Sequence, residues 1–191
     1  MVCGVVIVHG QSEKNIVDYI SSNYRIPIKV FSHKNGKSSI QIDGLPDVFS
    51  NKKFNTQSDF ENWIGTDLNS LNSQSFKIFT LMDLDDVSNK SVKSNYKAGS
   101  ISGIGKHWAK KFIVPIYCDG NLEDVLKDIQ YPYAPNNKAK KKYIEVFPVN
   151  HNDDTNDLKD IQEFKKKLLR SQLTNLDTFV QFCFDNKSDF S

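Results

Sequence analysis

The stretch Ile78-Phe79-Thr80-Leu81-Met82 stops abruptly at Asp83-Leu84-Asp85-Asp86, three carboxylates within four positions. A short, nearly unbroken apolar run has the length and content of a strand buried inside a sheet. Similar runs recur. Val5 to His9 reads as strand one, Ile26 to Phe31 as strand two with Pro27 near its start, Phe76 to Met82 as strand three and Phe112 to Tyr117 as strand four. Tyr143 to Val149 is a candidate fifth strand, and Ser39 to Ile42 a short extra one before the Asp43-Gly44 turn.

Helical patterns separate the strands. Glu13 to Ser22 carries Ile16, Val17 and Ile20 on one stripe, with Glu13 in the first turn, where the helix dipole favours an acid. Ser58-Asp59-Phe60-Glu61 fits a capping box that opens a second helix. A further helix follows Asn121-Leu122-Glu123-Asp124 to about Ile129, and two amphipathic helices, Asp157 to Leu169 and Leu176 to Phe184, close the chain. Lys106 to Lys111 suits a short helix. The polar, Ser/Gly/Lys-rich stretch from Val87 to Gly105 is expected to be a loop over the acidic cluster. Strand–helix alternation predicts an α/β fold: a mainly parallel sheet of four to five strands flanked by helices over residues 1–150, with a helical C-terminal extension, 151–191, packed on the same domain.

A length of 191 residues with 38% hydrophobic and 12% aromatic content is enough for one domain with a real core. No run approaches the roughly 18 apolar residues that cross a membrane, and Met1 to Val8 lacks a positive leader. Cys3, Cys118 and Cys183 are far apart and form no C-x-x-C pair, which argues against zinc and a disulfide framework and fits a reducing cytoplasm. A net charge of +2 does not announce a nucleic-acid binder, but lysines cluster: Lys138 with Lys140, Lys141 and Lys142, and Lys106, Lys110 and Lys111 beside His107 and Trp108. Such clusters attract phosphates or form a solvated face.

In parallel α/β sheets, sites form beyond the carboxyl ends of the strands. That rule gathers His9-Gly10-Gln11-Ser12-Glu13, Asp83-Leu84-Asp85-Asp86 and Asp119-Gly120-Asn121-Leu122-Glu123-Asp124. On an extended chain Asp83 and Asp85 share one side, and close carboxylates repel unless a cation neutralises them. With only Arg25 and Arg170 in the whole chain, a hard divalent cation is a good candidate partner. The plain alternative is a strand ending in a solvated acidic turn.

The ordered set resembles the Toprim family, especially the nuclease branch related to OLD-family and RloB-like proteins. The first motif, a strand ending in Glu-Gly and followed by an acid that opens a helix, stands here as Val6-Ile7-Val8-His9-Gly10-Gln11-Ser12-Glu13-Lys14. The D-x-D strand end matches Asp83-Leu84-Asp85, and a later L-E element matches Leu122-Glu123. The match covers roughly the first 130 residues, and the family's principal glutamate falls on His9. Histidine can bind a divalent metal, Mn2+ better than Mg2+, or act as a general base.

The resemblance implies metal-assisted hydrolysis of DNA or RNA phosphodiesters, with a role in defence against foreign nucleic acid. It implies catalytic roles for His9, Glu13, Asp83 and Glu123, and Mg2+ or Mn2+ held by Asp83, Asp85, Asp86 and Glu123, with Asp119 nearby. It also implies nucleic-acid contacts from Lys97, Lys106 or Lys110. No G-x-x-x-x-G-K-[ST] motif occurs, so an ATPase of the OLD type is expected only as a separate partner chain. Two other classes stay open. His9 in place of glutamate suits a catalytically inactive Toprim-like binding module. Met82-Asp83-Leu84-Asp85-Asp86-Val87 also fits the D-x-D-x-V pattern of haloacid-dehalogenase-type phosphatases, although that motif usually lies on the first strand.

Overall fold

The computed structural model describes residues 2–70, 75–132, 147 and 155–187. Four strands form one sheet in the order β2-β1-β3-β4: β1 Gly4–Val8, β2 Ile28–Phe31, β3 Lys77–Asp83 and β4 Ile113–Cys118. Every pairing is parallel, with Val6 opposite Val30 and Phe79, and Asp83 opposite Cys118. The helices are α1 Gln11–Asn23, α2 Leu45–Phe49, α3 Gln57–Ile64, α4 Lys90–Lys97, α5 Leu122–Asp128, α6 Thr155–Leu168 and α7 Asp177–Asp185. The proposed fifth strand lies outside the described residues, apart from Phe147, which is buried.

β1 is buried along its whole length, as its unbroken apolar sequence requires. Its alternate residues feed two cores. Val6 and Val8, with Phe79, Leu81 and Ile116, meet α1, α5, α6 and α7 on one face. Val5 and Ile7, with Ile78 and Met82, meet α2, α3 and α4 on the other. The C-terminal helices share the first core directly: Phe179 and Phe182 of α7 both place their rings 5.1 Å from that of Phe79. Among the described residues no helix is long and apolar enough to cross a membrane.

Three local expectations change. Ser39 to Ile42 is not a strand; the chain passes into a 3-10 turn at Ile42–Gly44. The α3 cap is Thr56, whose Oγ1 accepts the Asp59 N–H at 3.1 Å, two residues before the capping box expected at Ser58. The expected loop from Val87 to Gly105 contains α4. Asn89 caps it, accepting from Ser91 N at 2.9 Å, and Tyr96 fixes it to the sheet. The buried Tyr96 hydroxyl donates to Thr80 O at 2.7 Å and lies 2.6 Å from Thr80 Oγ1.

The outer edge of β4 is closed by a side chain. Asn175 Oδ1 accepts Tyr117 N–H and its Nδ2 donates to Pro115 O, both at 2.9 Å, so one amide stands in for a neighbouring strand. Thr174 Oγ1 adds a bond to Tyr117 O at 2.6 Å. Proline, which cannot donate to a ladder, is tolerated at such an edge.

Candidate functional site

The strand order reverses between β1 and β3: the chain goes from β1 to β2 on one side and later returns to β3 on the other. Loops leaving the carboxyl ends of β1 and β3 therefore diverge and open a crevice. His9 stands at its mouth. Its N–H donates to Leu81 O at 2.9 Å, extending the β1–β3 ladder by one residue, and its carbonyl accepts Ile40 N–H at 2.8 Å. Its side-chain Nδ1 lies 2.9 Å from Ile40 O. A carbonyl can only accept, so Nδ1 carries a proton and Nε2 is the ring atom that faces the crevice. Nε2 lies 3.9 Å from Asp83 Oδ2 and 3.9 Å from Asp86 Oδ2.

Glu13 lies in the first turn of α1, 2% exposed, where its Oε2 accepts the Gly10 N–H at 2.8 Å. Glycine has no side chain to return the bond, so only the glutamate half of a capping box exists. Burial pushes the Glu13 carboxyl above its usual range; the neighbouring His9 lowers it and Glu123 raises it. The hydroxyl of Ser12 donates to Glu123 Oε1 at 3.3 Å, which joins the first turns of α1 and α5. Between these acids the buried Cys118 thiol is pushed well up, by burial first and then by the negative charges of Asp83, Glu13 and Glu123. The acids of the three loops thus act on one spot.

Asp83 ends β3 and is 8% exposed. The chain then turns, because Leu84 N–H meets Cys118 O at 3.0 Å and Gly120 O at 2.9 Å, and Asp85 N–H meets Gly120 O at 3.0 Å. Gly120 has φ +91, and a Cβ there would stand 2.6 Å from Asp124 Oδ2, so both conformation and space call for glycine. This turn ends the extended chain on which Asp83 and Asp85 are expected to share one side. Strand alternation ends at Asp83; Asp85 points to Asn121 Nδ2 at 3.4 Å, and it is Asp86 that returns to His9.

The lysines divide. Lys97 holds Asp119 at 2.7 Å and lies over the Tyr117 ring, so the C-terminal end of α4 reaches the site. Lys110 lies in the 3-10 turn Trp108–Phe112, and Lys106 just ahead of it, both before β4 begins. Five strand steps at about 3.3 Å each put the start of β4 roughly 17 Å from the acids, so these two lysines belong to the opposite end of the sheet. His107 is structural: Nδ1 accepts Ala109 N–H and Nε2 meets Phe49 O, each at 3.2 Å. The Lys138–Lys142 cluster lies outside the described residues.

Among the described residues no three His, Cys, Asp or Glu side chains close into a ready-made metal cage. His9, Asp83 and Asp86 form a more open set. Mg2+ and Mn2+ are commonly held by one or two carboxylates with water completing the shell, and Asp83 and Asp86 are the carboxylates that face His9. The bond from His9 Nδ1 to a backbone carbonyl also matches the support that metal-ligating imidazoles commonly have. Compared with known proteins, the chain matches no family model, no curated sequence and no solved structure.

Proposed function

We propose that this chain is a divalent-metal-dependent nuclease hydrolysing phosphodiester bonds of DNA or RNA at the β1/β3 crevice, of the Toprim-like kind its motif order resembles. The observation that carries the proposal is the His9 ring: with Nδ1 held on Ile40 O, it turns Nε2 toward two carboxylates. Two carboxylates brought within 3.9 Å of one ring nitrogen repel each other unless positive charge sits there. His9, Asp83 and Asp86 would hold the cation, and the nitrogen donor favours Mn2+ over Mg2+. When bound, that ion supplies charge stabilisation on the phosphate and a more acidic water. Glu123, which accepts the Ser12 hydroxyl, would take a proton from the attacking water. Buried Glu13 fixes the start of α1 beside His9. Asp85 and Asp119 stand at the rim as outer acceptors.

The test pairs cleavage with metal binding. Plasmid, single-stranded DNA, structured RNA and a phosphomonoester are incubated with Mn2+ or Mg2+ without ATP. The expected result is nucleic-acid cleavage that Asp83→Ala and Glu123→Ala abolish. In thermal melts, metal at a hundredfold excess over its Kd stabilises by about 2.7 kcal/mol, or roughly 5–10 °C for a chain of this size. Asp83→Asn with Asp86→Asn should remove that shift. Turnover of the phosphomonoester alone would replace the nuclease with a phosphatase. An inert wild type whose His9→Glu variant cleaves would make the chain a binding module, the reading that histidine in place of glutamate favours.

A further inference from the structure

The surface beside the crevice is basic and aromatic along one edge of the sheet. Between Asp18 and Asp43 the chain contains no acid, yet it carries Arg25, Lys29, His33, Lys34 and Lys37. β2, in the middle of that stretch, is the outer strand. At its flank the half-buried Trp63 ring lies under two ammonium groups, Lys29 at 5.2 Å and Lys53 at 5.1 Å. Trp63 meets Phe31 at 6.0 Å, and Phe31 in turn meets the exposed His33 at 6.1 Å.

Beyond His33 the chain makes a turn closed by the His33–Ser38 bridge. Lys34, Asn35 and Gly36 all have positive φ, at 47, 58 and 84. A non-glycine residue in that region is uncommon, so the turn keeps its shape against local preference. The turn is seated on the start of α1: a Cβ on Gly36 would come within 2.8 Å of Gln11 Oε1 and 3.1 Å of its Cα. Lys34 and Lys37 project from it, exposed, two residues of chain away from His9 through Gln11 and Gly10. None of Lys29, Lys34, Lys37 and Lys53 makes an ion pair with a described residue.

We infer that this β2 edge, from Trp63 to the Lys34–Lys37 turn, is a binding path for single-stranded nucleic acid that leads the strand to His9. The inference rests on the nuclease reading of the crevice and names its substrate class. Lysines without an ion-pair partner among the described residues supply backbone contacts, Lys29 after releasing the Trp63 carbonyl it now bonds, and the outer part of the half-buried indole supplies a stacking platform. Bases within a duplex are already stacked and offer no free face to Trp63. Lysines held over an indole by cation–π contact can swing to phosphates when a base takes their place.

The test is binding in metal-free buffer, so it does not depend on cleavage. A labelled single-stranded oligonucleotide and its duplex are titrated by fluorescence anisotropy over a range of salt. The single strand should bind the tighter. Lys34→Gln with Lys37→Gln removes two phosphate contacts. The log–log salt slope should fall by about 1.4, and affinity at 0.1 M salt by roughly 20-fold. Lys110→Gln with Lys111→Gln, at the far end of the sheet, should leave both unchanged. The chain has two tryptophans, so indole quenching on binding should vanish in Trp63→Phe and persist in Trp108→Phe. Equal or tighter duplex binding, equal losses in the two lysine pairs, or quenching that survives Trp63→Phe overturns the inference. Strip variants that behave as expected in a protein that never cleaves would sink the nuclease and leave the path standing. Cleavage of single strands by an unimpaired Lys34/Lys37 variant would do the reverse.

Discussion

Replacing Asn175 with alanine opens the outer edge of β4 and is expected to destabilise the fold by about 2–4 kcal/mol. The side chain accepts Tyr117 N–H and donates to Pro115 O, both at 2.9 Å in a partly buried setting. Two such bonds contribute roughly 0.5–1.5 kcal/mol each, and a buried donor left without a partner costs about 1–3 kcal/mol more. Water reaching the edge offsets part of the second figure. Asn175→Asp keeps the acceptor for Tyr117 but sets a carboxylate against the Pro115 carbonyl, so it should be no milder than alanine. Asn186→Ala serves as reference, because its Nδ2 bonds only the local Phe182 O at 2.9 Å and should cost under about 1 kcal/mol. Urea unfolding reads these values as a fall in midpoint at constant m. A shift at Asn175 within about 0.5 kcal/mol, the range of an ordinary surface change, would refute the strand-substitute reading.

Tyr24 and His107 give two further predictions. The Tyr24 hydroxyl is buried without a hydrogen-bond partner among the described residues, so Tyr24→Phe should leave stability unchanged or raise it by up to about 1 kcal/mol in the same urea assay. Burial pushes that phenol from 10.0 to about 12; a raised value means stability that is full below pH 10 and falls between pH 10 and 12, and Tyr24→Phe should flatten that decline. Burial lowers His107 below its ordinary 6.5. The neutral ring is the folded form, so its contribution is present above pH 6.5 and lost as pH falls through the lowered value. His107→Asn, which keeps an acceptor for the Ala109 N–H, should weaken that acid-side slope in thermal melts.

Much of the architecture is legible in the sequence because burial on both faces leaves an unbroken apolar signature in β1 and β3, and because acids follow three of the strands. What escapes is set by contacts distant in sequence. α4 carries one fully buried anchor, Tyr96, on an otherwise polar segment, so its periodicity is faint; the Asn89 cap is the signal that would have found it. The choice of Asp86 over Asp85 depends on where β3 stops, and that is decided by bonds from Leu84 and Asp85 to the turn after β4, more than thirty residues on. Lys106 and Lys110 look close to the acids in sequence, yet they lie ahead of the start of β4 while the acids lie at the carboxyl ends of the strands. The Lys34–Lys37 turn carries no motif; its position beside His9 comes from the Gly36–Gln11 contact and the Ile40–His9 pair.

These contacts also explain how an acidic crevice persists in a stable sheet. Glu13 and Glu123 each occupy the first turn of a helix, where the dipole favours a negative charge by about 0.3–1 kcal/mol. Burial works against that charge and raises Glu13. The two cores that flank the sheet, and the backbone bonds of His9, Leu84 and Asp85, hold these loops in place whatever their side chains do. Repulsion among these acids, held at the switch point by a scaffold that does not depend on it, would be relieved by a bound cation.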